Sequence, residues 1–128
     1  RVFGSSKDHF QRLELALEQA DLLKCYIILK GNYSFIATPG GKGFFNPSGN
    51  PGLATGGSGD VLSGILAGLL AQSYPPERTC LLGVYLHGLA GDIAAHELSQ
   101  EALIAGDITD QLGKAFIQIR KAADIDQA

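Results

Sequence analysis

The 128-residue sequence has few of the features that mark secreted or membrane proteins, and it contains no methionine or tryptophan. Its two cysteines, Cys25 and Cys80, are too far apart for a Cys-x-x-Cys pair, and both lie in apolar stretches. This excludes a disulfide framework and favours buried thiols in a reducing compartment. No apolar run reaches about 18 residues, and the start, Arg1-Val2-Phe3-Gly4, is unlike a signal peptide.

From these absences we expect a cytoplasmic protein with no membrane segment. Because the sequence has no initiating methionine, we also expect a fragment or a processed product. Basic residues are few as well: 10 Lys and Arg against 13 Asp and Glu give a net charge of -3. Nucleic-acid binding usually needs a basic face, so we expect no nucleic-acid partner. The length suits one domain, and a hydrophobic share of 45% is enough for a packed core.

Hydrophobic periodicity predicts one helix, three short strands and three further helices, in that order. The turns between the strands are short, so we expect an antiparallel meander at one edge of a sheet. The first strand is a continuous apolar run, typical of a strand buried on both faces. The predicted helices are 7–22, 60–71, one capped by Thr79 and one capped by Asp107; the predicted strands are 26–29, 34–38 and 43–46.

The most informative stretch is Gly56-Gly57-Ser58-Gly59-Asp60, where a glycine-rich loop passes into an apolar helix. Successive glycines let backbone N–H groups turn toward one point, and the helix start adds unpaired N–H groups and partial positive charge. Such a turn binds anions, and phosphate is the natural occupant. Asp60 suits an ordinary helix cap, but beside bound phosphate it also suits a general base.

Two common nucleotide motifs do not fit this turn. Gly59 and Gly64 have the spacing of a Walker loop, but Ile65 stands where that loop needs lysine. A dinucleotide fingerprint fails because the next glycine after Gly57 and Gly59 is Gly64, and because no strand leads directly into the turn. The sequence therefore predicts a glycine-rich anion site that ends in an aspartate.

Three segments together resemble the ADP-dependent NAD(P)H-hydrate dehydratases, a family of the ribokinase-like superfamily. The longest, residues 49–64, reads GNPGLATGGSGDVLSG and is similar to the signature of that family. The other two are LKGNYS at 29–34 and GVYLHGLAGD at 83–92. The resemblance extends from residue 1 to about 116 and matches about the C-terminal half of the family's catalytic domain. It implies a partial three-layer α/β/α domain of ribokinase-like type, with residues 1–128 forming the C-terminal part of a single catalytic domain.

The resemblance implies repair of hydrated nicotinamide cofactors. In that family ADP phosphorylates the ring hydroxyl of the (S)-hydrate of NADH or NADPH, and loss of phosphate restores the reduced cofactor. By position, Asp60 matches the residue that contacts the hydrate and acts as base, and Gly59 matches a nucleotide contact. The remaining nucleotide contacts match Lys30, Gly31, Asn32, Tyr33 and Ser34, of which Asn32 and Ser34 depart mildly from the usual pattern.

The expected ligands are ADP, with ATP as the alternative nucleotide, and Mg²⁺, which phosphoryl chemistry requires. No residue spacing resembles a protein metal site. The glycine turn 56–59 is expected to hold phosphate, while Asn50 and Gly52 are assigned to loop geometry.

Several other polar residues have simpler interpretations. Lys30 could be a solvated lysine at the end of a strand, but its place before a glycine turn favours a nucleotide contact. We expect His87 to be packed or hydrogen-bonded within a helix, and His9 and His96 to lie on the surface. The carboxylates of Asp92, Asp107 and Asp110 are expected to be solvated or to cap helices.

Two other functions remain open at this point. One is a ribokinase-like kinase that acts on a sugar or a vitamin alcohol, which shares the Gly-x-Gly-Asp pattern but more often has an Asp-Thr pair shortly before the glycines. The other is a nucleotide-binding fragment without turnover. A domain cut through its sheet exposes a strand edge, so we expect a homo-oligomer or a companion chain that supplies the missing half.

Overall fold

The computed structural model describes residues 8–31 and 33–127. The elements follow the predicted order, with a 3-10 turn and one additional helix near the end of the chain. They are α1 (His9–Leu23), β1 (Ile27–Leu29), β2 (Phe35–Ala37), β3 (Gly43–Phe45), the 3-10 turn (Pro51–Leu53), α2 (Ser58–Ala71), α3 (Pro76–Leu98), α4 (Ala105–Asp110) and α5 (Leu112–Gln127).

The three strands form an antiparallel sheet in the order β1-β2-β3, which confirms the predicted meander. In its central row, Ile36 of β2 lies opposite Ile28 of β1 on one side and Phe44 of β3 on the other. Because side chains alternate between the faces of a strand, this row faces one helical layer and the flanking rows face another.

Helices cover both faces of the sheet, which gives the three-layer α/β/α arrangement. On one face, Ala16 and Ala20 of α1 pack against Phe35 and Ala37. On the other face, Ile36 packs with residues of α2 and α3, namely Leu62, Cys80 and Val84. A further apolar cluster joins α3 to the last two helices, with Leu86, Ala90, Ala94, Leu103, Ile108 and Ala115 buried. Helix α3 therefore lies between the sheet layer and the C-terminal helices.

The first strand is less buried than its sequence predicts. All residues of β1 are half-buried, whereas all residues of β2 are buried. The reason is position: β2 lies between two strands, while β1 pairs only with β2 among the described residues. The expectation of a strand buried on both faces therefore describes β2 rather than β1.

Two features of the later helices also differ from the sequence expectation. Helix α3 begins at Pro76 rather than at Thr79, because proline suits a first turn, where its missing N–H is not needed. Thr79 lies inside the helix and donates its hydroxyl to the Tyr74 carbonyl at 3.3 Å. Asp107 does stabilise a helix start, since it accepts from the Ile104 N–H at 2.9 Å. The sequence predicts one last helix, whereas the structure has two, α4 and α5, which are separated at Gln111.

Candidate active site

The glycine turn, residues 56–59, leads directly into α2. Gly57 is the residue before the helix, and its backbone is left-handed, with φ 88° and ψ -11°, a conformation that favours glycine. Helix α2 therefore begins at Ser58, two residues earlier than the sequence suggested. No side chain caps it.

The start of α2 leaves backbone donors available. The Ser58 N–H donates to the Thr55 carbonyl at 3.3 Å, and the Val61 N–H donates to the Gly57 carbonyl at 3.1 Å. Between them, the N–H groups of Gly59 and Asp60 have no hydrogen-bond partner among the described residues. Unpaired N–H groups at a helix start carry partial positive charge and bind anions.

Lys30 adds a full positive charge at the same place. It follows the last residue of β1, and a Cβ built on Gly59 would lie only 2.6 Å from Lys30 Nζ. A side chain at position 59 would displace the ammonium group from this place. The salt bridges within the described part of the chain, Lys24–Asp21 and Lys114–Glu97, leave Lys30 without a carboxylate partner. We call Lys30 Nζ and the N–H groups of Gly59 and Asp60 the anion site.

The Asp60 side chain lies at the edge of this site. It is in the first turn of α2 and exposed, so its carboxylate is open to a ligand approaching from solvent. A carboxylate is favoured at a helix start by the dipole of the helix, which accounts for its stability there. The same position places a proton acceptor next to any phosphate bound by the turn.

The loop before the turn is fixed to α3 by hydrogen bonds. Asp92 accepts from the Gly49 N–H at 3.0 Å and from Asn50 Nδ2 at 2.8 Å. Asn50 in turn accepts from the Gly52 N–H at 2.9 Å, which confirms that it serves loop geometry. Asp92 is therefore not the solvated or capping carboxylate that the sequence suggested, but the residue that ties the loop to α3.

Glycines on α3 let this loop come close. A Cβ on Gly88 would lie 2.8 Å from Ser48 Cβ and 2.7 Å from the Ser48 carbonyl carbon. Ser48 also donates its hydroxyl to the Tyr85 carbonyl at 3.1 Å. On the next turn, Gly91 packs against Leu53. Residues 85–92 of α3, which we call the α3 platform, thus hold the whole loop.

The α3 platform also reaches the glycine turn itself through His87. This buried side chain places Nε2 at 3.0 Å from the Ser58 carbonyl oxygen and at 3.1 Å from Ser58 Oγ. Burial lowers the pKa of His87, and the charge of Lys30 lowers it further, while the bond to the Ser58 carbonyl raises it. His87 is therefore hydrogen-bonded and neutral near pH 7, in agreement with the interpretation of a packed histidine.

The other residues of the predicted nucleotide segment lie beside Lys30. Gly31 and Tyr33 line, with Lys30, a cavity of about 470 Å³ whose wall also includes Arg12 of α1. The Ser34 carbonyl accepts from the Asn46 N–H at 2.8 Å, so this residue also shapes the strand end. Asn32 lies outside the described residues.

Sequence reasoning missed two residues of this region, Arg12 and Asp92, and it did not identify the bonding partner of His87. The apolar pattern of α1 does not indicate Arg12, because its place beside Lys30 depends on how α1 packs on the sheet. Asp92 and His87 were given ordinary structural roles. The signal that could have found them is the cluster His87-Gly88 and Gly91-Asp92, polar residues next to glycines on one buried helix.

Comparison with solved structures defines the class of fold. A crystal structure of the ADP/ATP-dependent NAD(P)H-hydrate dehydratase from Bacillus subtilis, co-crystallized with ATP/Mg²⁺, matches with a TM-score of 0.80 at 38% identity, covering 85% of this chain and 39% of that chain. A ribokinase-like superfamily protein from Enterococcus faecalis matches with a TM-score of 0.70 at 37% identity, covering 83% and 36%. The fold is that of the ribokinase-like class.

Sequence comparison narrows the class to one family. The family model described as NAD(P)H-hydrate dehydratase matches residues 1–114, so the chain belongs to the NAD(P)H-hydrate dehydratase family. The bifunctional NAD(P)H-hydrate repair enzyme of Thermofilum pendens is 45% identical over 123 residues, 94% of this chain and 24% of that protein. The ADP-dependent (S)-NAD(P)H-hydrate dehydratase of Bacillus subtilis is 40% identical over 106 residues, 83% and 38%. The chain thus spans a quarter to two fifths of the length of these relatives.

Proposed function

We propose that this chain supplies the nucleotide site and the general base of an ADP-dependent NAD(P)H-hydrate dehydratase. The observation that carries the proposal is the anion site, in which the Lys30 ammonium lies beside Gly59 at the start of α2, where two N–H groups are unpaired among the described residues. Family membership supports the reaction, since relatives that bear this activity in their names match the chain over most of its length. A sugar or vitamin kinase has no comparable support.

In the proposed reaction the anion site holds the terminal phosphoryl group of ADP. The ring hydroxyl of the hydrate attacks phosphorus, Asp60 accepts the hydroxyl proton, and AMP leaves with the electrons of the broken P–O bond. Phosphate then leaves with the electrons of the C–O bond, and loss of a ring proton restores the double bond of NADH or NADPH. The products are reduced cofactor, AMP and phosphate, and Lys30 with the N–H groups stabilises the charge on the transferred group.

The proposal assigns the remaining contacts as follows. The phosphate turn is assigned to Gly56, Gly57, Ser58 and Gly59, with Gly59 as the donor at the helix start. Ser58 shapes the turn instead, because its N–H donates to the Thr55 carbonyl and its side chain is buried against His87. Nucleotide contacts are assigned to the 30–34 segment. The cavity lined by Arg12 and Lys30 shares Lys30 with the anion site, although none of residues 56–60 lines it. Its positive charge suits an anionic nucleotide, and about 470 Å³ is an ordinary size for a ligand pocket.

Mg²⁺ is expected to accompany the nucleotide, as in the Bacillus subtilis structure co-crystallized with ATP/Mg²⁺. No group of three or more His, Cys, Asp or Glu side chains that could hold a metal occurs in residues 8–31 and 33–127. This fits Mg²⁺, which commonly takes one or two carboxylates together with substrate phosphates rather than a protein cage. The ion would be held mainly by the phosphates of the nucleotide and would neutralise part of their charge.

The proposal also covers the rest of the protein. We assign residues 1–128 to the C-terminal part of one ribokinase-like catalytic domain, with the remaining part of the hydrate pocket contributed by a preceding segment or a companion chain. ADP is the proposed phosphoryl donor and ATP the alternative. No helix of the described residues is long and apolar enough to cross a membrane. A cytoplasmic location stays a prediction from the sequence.

Replacing Asp60 tests the assigned general base. In the natural protein that carries this sequence, Asp60→Asn is expected to lower turnover of NADPH hydrate by about 100-fold to 10,000-fold, the usual contribution of a general base. ADP affinity should be kept or slightly improved, because one negative charge near the phosphates is removed. Turnover is followed by the near-ultraviolet absorbance of the reduced cofactor, and ADP binding by calorimetry.

The matched control is Asp110→Asn, an exposed aspartate at the end of α4, which should change neither measurement. If the wild-type protein returns no reduced cofactor from NADH or NADPH hydrate with ADP or ATP, the proposed function is wrong. If Asp60→Asn loses turnover and ADP binding to the same extent, Asp60 is a structural cap and the base lies elsewhere.

A further inference from the structure

The contact between His87 and Ser58 joins two helices at the point where the anion site begins. Both residues are buried, at 7% and 4% relative exposure, and they are 29 positions apart in the sequence. The carbonyl oxygen of Ser58 can only accept a hydrogen bond, so the 3.0 Å contact places a proton on His87 Nε2. Nε2 then donates to the carbonyl, with Ser58 Oγ as a second neighbour at 3.1 Å.

This hydrogen bond acts on the same peptide unit that carries the Gly59 N–H. A peptide unit is planar and trans, so the C=O of Ser58 and the N–H of Gly59 point in opposite directions. When His87 holds the carbonyl oxygen toward the buried side, the Gly59 N–H is turned to the other side. The Lys30 ammonium lies against Gly59, since its Nζ is 2.6 Å from the place that a Cβ on Gly59 would take.

The Ser58 carbonyl also takes part in the hydrogen bonding of α2, which begins at this residue, and His87 adds a bond to it from another element, α3. The residue before α2 is a glycine with a left-handed backbone, and no side chain caps the helix. The Gly59 N–H itself has no partner among the described residues. A hydrogen bond to the C=O of a peptide unit also polarises its N–H, so this N–H becomes a stronger hydrogen-bond donor to an anion.

We infer that His87 is a positioning residue of the anion site: its hydrogen bond to the Ser58 carbonyl holds the first turn of α2 against α3, and with it the Gly59 N–H that binds phosphate. The inference rests on the proposed function, because it needs a phosphorylated ligand at the start of α2. His87 does not touch that ligand, and it acts only through the backbone of Ser58.

Two amide substitutions separate positioning from simple packing. In His87→Gln the side-chain amide reaches about as far as Nε2 and keeps a donor for the Ser58 carbonyl, while His87→Asn has the same polarity but is one methylene shorter. We expect His87→Gln to bind ADP within about twofold of wild type, and His87→Asn to bind about five- to tenfold more weakly, the usual effect of one lost hydrogen bond. His96→Gln, at an exposed site late in α3, is the control and should bind as wild type does.

The readouts are ADP titration by calorimetry and the backbone amide signal of Gly59 in the free protein, both below the unfolding temperature of each variant. A Gly59 signal that moves in His87→Asn and returns with Gln supports positioning. The inference is overturned if both variants bind ADP as wild type does and the Gly59 signal stays in place. It is also overturned if both variants lose ADP affinity to the same extent. If wild type itself binds no ADP, the proposed function fails and the inference fails with it, whereas the other negative results leave the proposed function standing.

Discussion

The hydroxyl of Ser58 is turned into the protein, although Gly56 and Gly57 just before it are exposed. A serine between glycines next to bound phosphate invites the interpretation that its hydroxyl contacts the ligand. The structure uses it differently, because Ser58 is buried and its polar atoms meet His87. The ligand contacts that we propose at the start of α2 therefore come from backbone N–H groups and from Lys30, which the sheet brings in from another part of the chain.

The same buried histidine makes stability depend on pH. Burial and the nearby Lys30 lower the pKa of His87 below its ordinary value of 6.5, so the unfolded chain binds a proton at a higher pH than the folded chain does. The free energy of unfolding is then highest above about pH 6.5 and decreases as the pH falls toward the folded-state pKa. Urea unfolding at several values between about pH 7.5 and pH 5.0 measures this.

The variant His87→Gln isolates the contribution, since it removes the titrating group and keeps an amide donor. Its loss of stability over the same pH range should be smaller than that of wild type. Glu97, whose pKa is held below 4.5 by Lys114, contributes only at more acidic pH. Parallel pH profiles for wild type and His87→Gln would contradict the assignment of a depressed pKa to His87.

At the scale of elements, α3 is the template for the active-site loop. Its residues 85–92 accept or donate the hydrogen bonds that hold Ser48, Gly49 and Ser58, and its glycines let the loop backbone approach. The sequence segment 83–92 therefore has a physical reason to accompany the glycine turn, although it contains no residue of the anion site. The loop and the helix form one unit.

A single methyl group on α3 should separate the loop from this template. In Gly88→Ala the new Cβ would lie 2.7 to 2.8 Å from Ser48 atoms, closer than real carbon contacts allow. The loop must shift, and we expect the free energy of unfolding to fall by about 1–3 kcal/mol, the usual cost of overpacking. Denaturant unfolding measures the change, and ADP affinity should fall as well.

Gly68→Ala in α2 is the matched control, because nothing lies within 4 Å of a Cβ built there. Alanine favours a helix interior over glycine, so this variant should be more stable by about 0.5–1 kcal/mol. The contact argument is wrong if both substitutions change stability by the same amount in the same direction.

At the scale of the whole molecule, the sheet has an open edge. Among the described residues β1 pairs only with β2, and its side chains are half-buried. Apolar side chains near that strand are exposed as well, for example Leu22 at 71% and Leu23 at 54%. The relatives are much longer than this chain, which covers 38% of the Bacillus subtilis dehydratase.

Open strand edges recruit partners, so we expect the isolated chain to associate with itself or to need a companion chain. Size-exclusion chromatography with light scattering should give a mass above the 13.5 kDa of one chain. A clean monomer that unfolds cooperatively would contradict this expectation.

The sequence predicted the parts of the fold that depend on local pattern. Alternating and periodic apolar residues located the meander and α2, and the glycine turn marked the helix start to within two residues. The prediction that β1 is fully buried was wrong, because the burial of a strand depends on how many strands lie beside it.

Sequence patterns do not show which distant segments of the chain come into contact. The approach of Lys30 to Gly59 spans 29 positions, and so does the bond from Ser58 to His87. Family resemblance named Lys30 and Gly59 as residues of one site, but only packing shows that they meet. The role of Asp92 was missed for the same reason, because its partners lie more than 40 positions earlier.

The most direct test of the central claim follows the backbone amides of the chain by NMR during titration with ADP and Mg²⁺. The account predicts that the largest and saturable shifts occur at Gly59 and Asp60, and that Lys30→Met weakens binding without moving the shifts elsewhere. Saturable binding that leaves the amides of 56–60 unmoved, or no binding at all, would contradict the claim that this helix start and Lys30 together hold a phosphoryl group.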